Sequence, residues 1–321
     1  MSLLNRIKSG IVLIAVSALL AFNSCTGNGD LDKNGIPTIL KIGQSTGEED
    51  PSETFRRMEP LKLYLEETLG VPVEFYRTTG YAPAIEALKS KKIHIAGLSP
   101  FAYILAKERT DLEVFTTIGT EAGGPRTYYS VIITKKGSGL DSMEDIIARS
   151  KELTLGFSDP ASTSGHFIPR AHLHQVGLDP DTDFKNVVFT TSQTATVLSA
   201  MTGKTDVVCG SYGVLYYLMN KYNYTFEKDI NLIWKSPPIV NQAKCIRTDI
   251  NPEFRKKVQD AYVNLKRDKP EVWDVIAKRY ERYFPGDISQ LTYAPANDSL
   301  YDGLRELARG LDFTNYMDDK K

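Results

Sequence analysis

Asp-Pro-Ala-Ser-Thr-Ser-Gly-His, residues 159–166, sets three hydroxyl side chains and a glycine between two predicted elements of regular structure. The apolar run Thr154–Phe157 before it predicts a buried strand, and residues 165–175 after it have helical spacing, with Gly177 as the stop. Because this helix begins inside the hydroxyl run, Ser162–Ser164, its free N–H groups and the positive end of its dipole face the same way as the hydroxyls. One Ser or Thr would be an ordinary helix cap, but three in succession predict a site for a phosphate-like oxyanion.

Short apolar runs alternate with amphipathic helical patterns on both sides of this motif, which predicts an α/β fold with largely parallel sheets. The alternation occurs twice along the chain, so we expect two similar halves. Residues 128–134 and 230–244 are the candidate hinge crossovers between them. We therefore predict a first lobe from residues 37–129 with 240–321, and a second lobe from residues 130–239. The last helices, which follow the second crossover, should pack on the first lobe.

The N-terminus predicts export from the cytoplasm. Two basic residues precede the apolar run Ile11–Phe22, which has the pattern of a signal peptide and is too short to span a membrane. We expect residues 1–24 to be removed. Cys25 follows a small residue and resembles the lipidated cysteine of bacterial lipoproteins, so the polar segment 25–36 would tether the protein to a membrane surface. Ordinary secretion, with cleavage nearby, is the alternative.

The composition excludes some partners. The predicted signal peptide holds two of the 39 basic residues and none of the 40 acidic ones, which leaves 37 against 40 and a net charge of −3. This charge does not favour a nucleic-acid partner. The remaining 297 residues (321 minus 24) are long enough for two lobes, and we expect a monomer. Cys209 and Cys245 could pair in an oxidising compartment, and the sequence leaves this open.

Hydroxyl groups also follow other predicted strands. In an open parallel sheet, ligands bind at the carboxyl ends of the strands, where these residues lie. Each of them alone would be a routine helix cap. Ser99 is the strongest candidate, because Pro100 fixes the first turn of the next helix and Tyr103 falls within that turn. Tyr81, at the start of another helix, could offer its ring and hydroxyl to the same cleft.

The sequence favours binding over catalysis. Hydrolysis by Ser162 or Ser164 would require a nearby base, but His166, within the helix, points its ring to another face. His172 and His174 lie about 200° apart around one helix and cannot jointly hold a metal ion. The motifs CxxC, HExxH, GxSxG and Walker A do not occur. We therefore expect a protein that is not an enzyme and needs no cofactor.

The motif at residues 159–165, with Pro169 four residues on, resembles the phosphate/phosphite/phosphonate-binding family of periplasmic substrate-binding proteins of ABC importers. Shorter segments support the resemblance over nearly all of the predicted mature chain: Tyr81–Ala82 with Ile85–Glu86, Ser99–Pro100 with Tyr103, Ser130–Ile132 before Lys135, and Trp234–Pro237. The resemblance implies a two-lobed periplasmic-binding-protein fold of type II, a small phosphorus oxyanion as ligand, and an ABC permease and ATPase as partners. A sensor lipoprotein that presents a small anion to a membrane receptor is the alternative.

The resemblance also implies roles for individual residues. The hydroxyl run would bind phosphoryl oxygens, and Tyr81 and Tyr103 would contribute from the opposite lobe. Gln193 stands where aminophosphonate-binding members have a histidine, and Gly213 and Gln242 stand where they have acids for the ligand's amine. Since a buried ammonium without a carboxylate costs about 3–5 kcal/mol, an amine-bearing ligand is disfavoured. The expected ligand-binding residues are Ser162, Thr163, Ser164, Tyr81, Ser99, Tyr103, Gln193 and Gln242.

Overall fold

The computed structural model describes residues 29–45, 51–190, 192–281, 284, 287–311 and 313, with the side chains of residues 44, 45, 51–55 and 281 excepted. The predicted signal peptide, residues 1–24, and the predicted lipidation site, Cys25, lie outside the described residues. Within the described part of the chain, no helix has both the length and the apolar character that crossing a bilayer requires.

Strands and helices alternate as the sequence predicts. The strands are β1 Leu40–Ser45, β2 Val73–Thr78, β3 Ile95–Leu98, β4 Leu112–Thr120, β5 Thr127–Tyr128, β6 Ser130–Lys135, β7 Thr154–Phe157, β8 Asn186–Phe189, β9 Val207–Ser211, β10 Ile230–Lys235, β11 Ile239–Val240, β12 Ala243–Arg247 and β13 Leu291–Pro295. The helices are α1 Pro51–Leu69, α2 Tyr81–Lys89, α3 Pro100–Lys107, α4 Met143–Arg149, α5 Ile168–Gln175, α6 Pro180–Asp183, α7 Gln193–Met201, α8 Tyr212–Tyr222, α9 Pro252–Asp268, α10 Pro270–Glu281 and α11 Asp302–Gly310.

Two large sheets form the two lobes. The first has the order β13-β4-β12-β3-β1-β2, and the second has the order β10-β6-β9-β7-β8. Strands β2 and β3 run parallel to β1, and β8 and β9 run parallel to β7. The prediction of largely parallel sheets holds only in part. In the first sheet, β12 and β13 run antiparallel to the other four strands, and in the second sheet β6 runs antiparallel to the other four. Two of these three strands, β6 and β12, border the crossovers, where the chain enters a sheet in the reverse direction.

Two crossovers join the lobes, as the sequence predicts. Strands β5 and β11 lie in these two connections and pair antiparallel with each other, with Tyr128 opposite Ile239 and Thr127 opposite Val240. The predicted crossover segments were too long, because they also contain β6 and β10 of the second sheet and the start of β12 in the first. The paired strands β5 and β11 form the hinge. The residue boundaries proposed above for the lobes stay a prediction.

The central strands of each sheet are buried on both faces, which is why they read as continuous apolar runs. In β6, for example, Val131, Ile132 and Ile133 are all fully buried, and successive residues contribute to the cores on opposite faces. Helices α9 and α10 pack on one face of the first sheet with Trp273 in the core, so the predicted placement of these helices is confirmed. Beyond α11, Phe313 packs against Phe167 of the second lobe, with ring centroids 5.6 Å apart.

A cavity of about 430 Å³ lies beside the hinge, between the two lobes. Helix α5 of the second lobe and α11 of the first form its walls, together with residues between Trp234 and Val240. The His172 ring stacks on Trp234 at this cavity, with centroids 4.1 Å apart. The hinge strand β11 therefore borders a mostly apolar space.

The two free cysteines are far apart in the topology. Cys209 lies in β9 of the second sheet and Cys245 lies in β12 of the first, and both are fully buried free thiols. The Cys245 thiol donates to the Ala96 carbonyl at 3.4 Å, and burial raises its pKa to about 12. The disulfide that the sequence left open is therefore absent from this structure.

The predicted tether, residues 25–36, is too long at its C-terminal end. Asp30 Oδ2 lies 2.6 Å from Arg247 Nη1 and 3.2 Å from His94 Nε2, two side chains that are almost completely buried. His94 Nδ1 accepts from Lys41 N at 2.9 Å, so Nε2 carries the proton that faces Asp30. Because burying an unpaired guanidinium is costly, Asp30 belongs to the first lobe.

Replacing Asp30 with Asn should lower the free energy of unfolding by about 1–3 kcal/mol, because Arg247 loses a charged hydrogen-bond partner. Urea unfolding monitored by circular dichroism measures the change. Lys33→Gln is the matched control, since Lys33 is exposed in the same segment. Equal stability of D30N and K33Q would show that the segment does not belong to the folded lobe.

Candidate functional site

The hydroxyl run begins a helix, as the sequence predicts. Ser162 is the N-cap, and its Oγ accepts from Gly165 N at 3.1 Å. Residues Thr163–Phe167 form a π-helical turn, with a hydrogen bond from Phe167 N to the Ser162 carbonyl, and α5 continues from it. The first N–H groups of a helix have no acceptor within the helix, and here they belong to residues of the hydroxyl run. Turns of this wide type often occur at functional sites.

Gly165 allows the hydroxyl run to pack tightly on β7. Ser158, directly after β7, donates its N–H to the Gly165 carbonyl at 2.9 Å. A Cβ atom added at Gly165 would lie 1.8 Å from Ser158 Oγ and 2.8 Å from Ser158 Cβ. Only glycine fits this position, because any side chain would push the helix start away from the strand.

Gln193 holds two members of the hydroxyl run from the second lobe. Its Oε1 accepts from Ser211 N at 2.8 Å, which fixes the orientation of the amide. Its Nε2 then lies 3.3 Å from Ser162 Oγ and 3.2 Å from Ser164 Oγ as a donor to both. Gln193 therefore joins the starts of α7 and α8 to the hydroxyl run.

Ser99 and Thr163 connect the two lobes. Ser99 Oγ caps α3 by accepting from Ala102 N at 3.1 Å, and it donates to the Ala161 carbonyl at 2.8 Å. Phe101 N donates to Thr163 Oγ1 at 2.8 Å. The start of α3 therefore lies directly against the hydroxyl run, and the two lobes are closed on each other.

Two tyrosines complete this contact. Tyr81 N donates to Asp159 Oδ2 at 3.2 Å, and the Tyr81 hydroxyl lies close to the Ser99 side chain. Burial, with a smaller effect of the Asp159 charge, raises the pKa of Tyr81 to about 12. The hydroxyl of Tyr128, on the hinge strand β5, lies close to the side chains of Thr163 and Ser164, and burial raises its pKa as well. Both tyrosines therefore stay neutral and can act as donors.

Tyr128 is a site residue that the sequence analysis missed. The sequence placed it at the start of a long strand leaving the first half, which gave no reason to expect a ligand-facing hydroxyl. Its position at the beginning of a crossover was the available signal, because a crossover runs along the cleft between the lobes.

One of the expected ligand-binding residues lies elsewhere. The Tyr103 hydroxyl donates to Asp298 Oδ1 at 2.8 Å, and its ring packs on Tyr301 in the core near α11. The structure thus brings Ser162, Thr163, Ser164, Tyr81, Ser99 and Gln193 together and separates Tyr103 from them. Gln242 Nε2 donates to Tyr280 Oη at 3.4 Å, and its predicted role in ligand binding stays a prediction.

Asp159 supports the site through its backbone contacts. Its Oδ1 accepts from Ala161 N at 2.8 Å, while Oδ2 accepts from Tyr81 N in the opposite lobe. Burial raises the pKa of this carboxyl. A Cβ atom at Gly80 would lie 2.9 Å from Asp159 Oδ2, so a side chain there would require the Asp159 carboxylate to shift.

His166 follows the hydroxyl run, and both of its ring nitrogens form hydrogen bonds. Nδ1 donates to the Pro160 carbonyl at 2.7 Å, and Nε2 accepts from Arg170 Nε at 2.9 Å. Arg170 in turn forms a two-fold ion pair with Asp181, with both distances 3.1 Å. The lone pair that a general base would need is thus bound to Arg170, and the imidazole fixes the loop from behind.

The fold and the site together define a class of protein. Two α/β lobes, joined by a paired hinge, close on a site of neutral hydroxyl and amide donors at the start of a helix. Such an arrangement is that of a ligand-binding protein that captures a small molecule between its lobes.

Residues 46–291 match the family of periplasmic substrate-binding proteins of ABC transporters for phosphonate, and the chain belongs to this family. It is a family of binding proteins and not one of enzymes.

The names of several similar proteins refer to phosphonate or phosphate. The chain is 28% identical over 212 residues to the phosphonates-binding periplasmic protein of Escherichia coli K12, and this match covers 66% of the chain and 62% of that relative. It is 22% identical to the phosphate-import protein PhnD of Mycolicibacterium smegmatis, over 94% of the chain and 96% of the relative. The structure of PhnD1 from Prochlorococcus marinus in complex with methylphosphonate superimposes with a TM-score of 0.68, at 20% identity, over 86% of this chain and 98% of that one.

Gly165→Ala should destabilise the second lobe, because the new methyl group overlaps Ser158 and overpacking costs about 1–3 kcal/mol. The melting temperature, measured by differential scanning calorimetry, should fall. Gly177→Ala is a comparison variant without steric overlap. An added methyl group at Gly177 has open space around it, so any strain there comes from the positive φ of this residue. Adding Ser158→Gly to G165A should recover part of the loss, and no recovery would argue against the overlap with Ser158 as the cause.

Proposed function

We propose that this chain is the substrate-binding component of an ABC importer and captures a small phosphorus oxyanion, a phosphonate, phosphite or phosphate, in the cleft between its lobes. The observation that carries the proposal is the hydroxyl run at the start of a helix, held by Gln193. Family membership and the names of its relatives, which refer to phosphonate and phosphate, support the same ligand class.

The orientation of the hydroxyl protons supports an anionic ligand. Ser162 Oγ accepts from Gly165 N and Gln193 Nε2, Thr163 Oγ1 accepts from Phe101 N, and Ser164 Oγ accepts from Gln193 Nε2. Since N–H groups can only donate, each hydroxyl keeps its own proton for another acceptor. Three such protons, with the N–H groups of the helix start, suit the oxygens of a phosphoryl group.

Capture would proceed by closure of the lobes. The contacts of Ser99, Phe101 and Tyr81 with the second lobe can form only when the lobes meet. A ligand that contacts both sides of the cleft stabilises the closed population by its higher affinity for that state. Ser162, Ser164 and Gln193 would hold the oxyanion from the second lobe, and Tyr81 and Tyr128 would donate from the first lobe and the hinge.

We also propose that the protein is exported and anchored to a membrane by a lipid. Export by the segment 1–24 and lipidation at Cys25 would leave a monomer tethered at the membrane, with the permease and its ATPase as partners. The folded segment from Asp30 onward leaves residues 25–29 as a short connection to the lipid. A short connection would keep the protein close to the permease.

Combining Thr163→Ala with Ser164→Ala should weaken binding of the preferred oxyanion by at least about tenfold, because the loss of hydrogen bonds to a charged group costs about 1–3 kcal/mol. Isothermal titration calorimetry on residues 26–321 measures the affinity. A thermal-shift panel of phosphate, phosphite, methylphosphonate, 2-aminoethylphosphonate, sulfate and small carboxylates first identifies the ligand.

The matched control combines Ser199→Ala with Thr202→Ala, since these hydroxyls bond only to local carbonyls of α7. Its affinity should equal that of the unchanged protein. If T163A/S164A also bound with unchanged affinity while the protein remained folded, the hydroxyl run would not be the binding site. A thermal shift with carboxylates alone would reject phosphorus oxyanions and retain the closing fold.

Cys25→Ser should move the protein from the membrane fraction to the soluble fraction of fractionated cells, because the serine cannot carry the lipid. Immunoblotting of both fractions measures the distribution, with Cys209→Ser as the control for loss of a cysteine elsewhere. Retention of C25S in the membrane fraction would contradict a lipid anchor at this position.

A further inference from the structure

A stack of two phenylalanine rings crosses from one lobe to the other. Phe101 of α3, in the first lobe, lies flat against Phe167 of the second lobe, with ring centroids 4.2 Å apart and ring planes 9° from parallel. Both side chains are fully buried. Phe167 ends the π-helical turn that begins at Thr163, and Phe101 N donates to Thr163 Oγ1. The two segments that meet at the hydroxyl run therefore also meet through apolar side chains.

Phe313 contacts Phe167 from a second direction. Its ring stands at 82° to that of Phe167, and its side chain is almost fully buried. The guanidinium of Arg170, which lies in the helix that follows Phe167, is 5.7 Å from the centre of the Phe313 ring. Phe313 therefore covers the second lobe just beyond the hydroxyl run. We call Phe101, Phe167 and Phe313 the phenylalanine cluster.

Phe313 is held to the first lobe through α11, which it follows. Helix α11 packs against α3. Asp298 ties these two helices together, because its Oδ1 lies 3.2 Å from Lys107 Nζ of α3 and 2.9 Å from Arg305 Nη2 of α11. Rotation about the hinge strands β5 and β11 would therefore carry Phe101 and Phe313 away from Phe167 together. The ring surfaces that now face each other would then be exposed to water.

The phenylalanine cluster favours closure more strongly than the polar contacts between the lobes do. When the lobes open, groups such as the Ser99 hydroxyl and the Ala161 carbonyl exchange each other for water, so the net gain from such a bond is small. Apolar rings have no such compensation in water, and they attract each other in stacked and edge-on geometries. The phenylalanine cluster therefore stabilises the closed lobes whichever ligand lies between them.

The phenylalanine cluster has no hydrogen-bonding group to offer an oxyanion, because phenylalanine side chains contain neither donor nor acceptor. Its effect on binding must therefore act through the equilibrium between open and closed lobes. When a ligand binds the closed form, the apparent affinity scales with the fraction of the protein that is closed.

Resting on the function proposed above, we infer that the phenylalanine cluster is an apolar latch, which positions the two halves of the site and sets the affinity for the ligand without contacting it. The hydroxyl run selects the ligand, and the latch determines how readily the lobes stay closed on it. Because the latch contributes equally for every ligand, its loss should weaken the binding of all ligands by the same factor.

Phe313→Ala tests the inference, because it shortens the latch and leaves Phe101 and Phe167, whose segments carry the site, unchanged. Methylphosphonate, phosphite and phosphate are the probes, titrated by isothermal titration calorimetry. F313A should weaken the binding of each probe that the unchanged protein binds by about fivefold or more, and the factors for different probes should agree within about twofold. Phe313→Leu, which keeps an apolar side chain, should weaken binding by only about twofold.

Phe254→Ala is the matched control, because Phe254 and Phe313 are equally exposed, at 5%, and Phe254 lies in the core of the first lobe. Its contacts stay within that lobe when the lobes separate. F254A should therefore lower the melting temperature and leave every affinity unchanged. If F313A does not fold, as judged from its melting curve, F313L takes its place with the loss given above.

Unchanged affinities in F313A would overturn the latch. So would factors that differ between two bound probes by more than about threefold, because a ligand-dependent loss indicates a direct contact. An equal loss of affinity in F254A would overturn it as well, since general destabilisation would then explain the effect. In all three cases, binding of a probe by the unchanged protein would leave the proposed function intact. If the unchanged protein bound none of the three probes, the proposed function itself would fail and the latch with it.

Discussion

Two hydrogen bonds between the lobes organise the rest of this structure. Ser99 Oγ donates to the Ala161 carbonyl, and Phe101 N donates to Thr163 Oγ1, so the start of α3 meets the start of the helix that leads into α5. These bonds bury the hydroxyl run away from water, where hydrogen bonds to a charged group are stronger than in bulk solvent. The bond from Phe101 N also occupies an acceptor site on the Thr163 hydroxyl and so directs the proton of that hydroxyl elsewhere. Closure of the lobes and preparation of the site are the same event.

In the second lobe, close packing and hydrogen bonds fix the position of the hydroxyl run. Gly165 packs on Ser158 without room for a methyl group, Gln193 fixes two hydroxyls through an amide anchored on Ser211, and His166 holds the Pro160 carbonyl from behind. The Gln193 amide and the His166 ring have their hydrogen bonds satisfied by neighbours with little freedom. A site built in this way loses little entropy when a ligand binds, because its donors are already in place.

The sequence predicted what depends on local pattern and missed what depends on the approach of distant segments. The helix start in the hydroxyl run, the alternation of strands and helices, and the two crossovers follow from capping and periodicity. Tyr128 and the direction of Tyr103 depend on how the lobes meet, and the folded position of Asp30 depends on Arg247, 217 residues away. The antiparallel strands were missed because residue periodicity carries no information on strand direction.

The stacking of Trp234 on His172 gives the chain an optical reporter of its own conformation. Trp273, the other of its two tryptophans, is sealed in the core of the first lobe, so its emission is insensitive to movements at the hinge. Trp234 stands at a cavity whose opposite wall is α11 of the first lobe. Rotation of the lobes about β5 and β11 changes the water around that indole. Opening and closing should therefore shift the intrinsic fluorescence, without an attached dye.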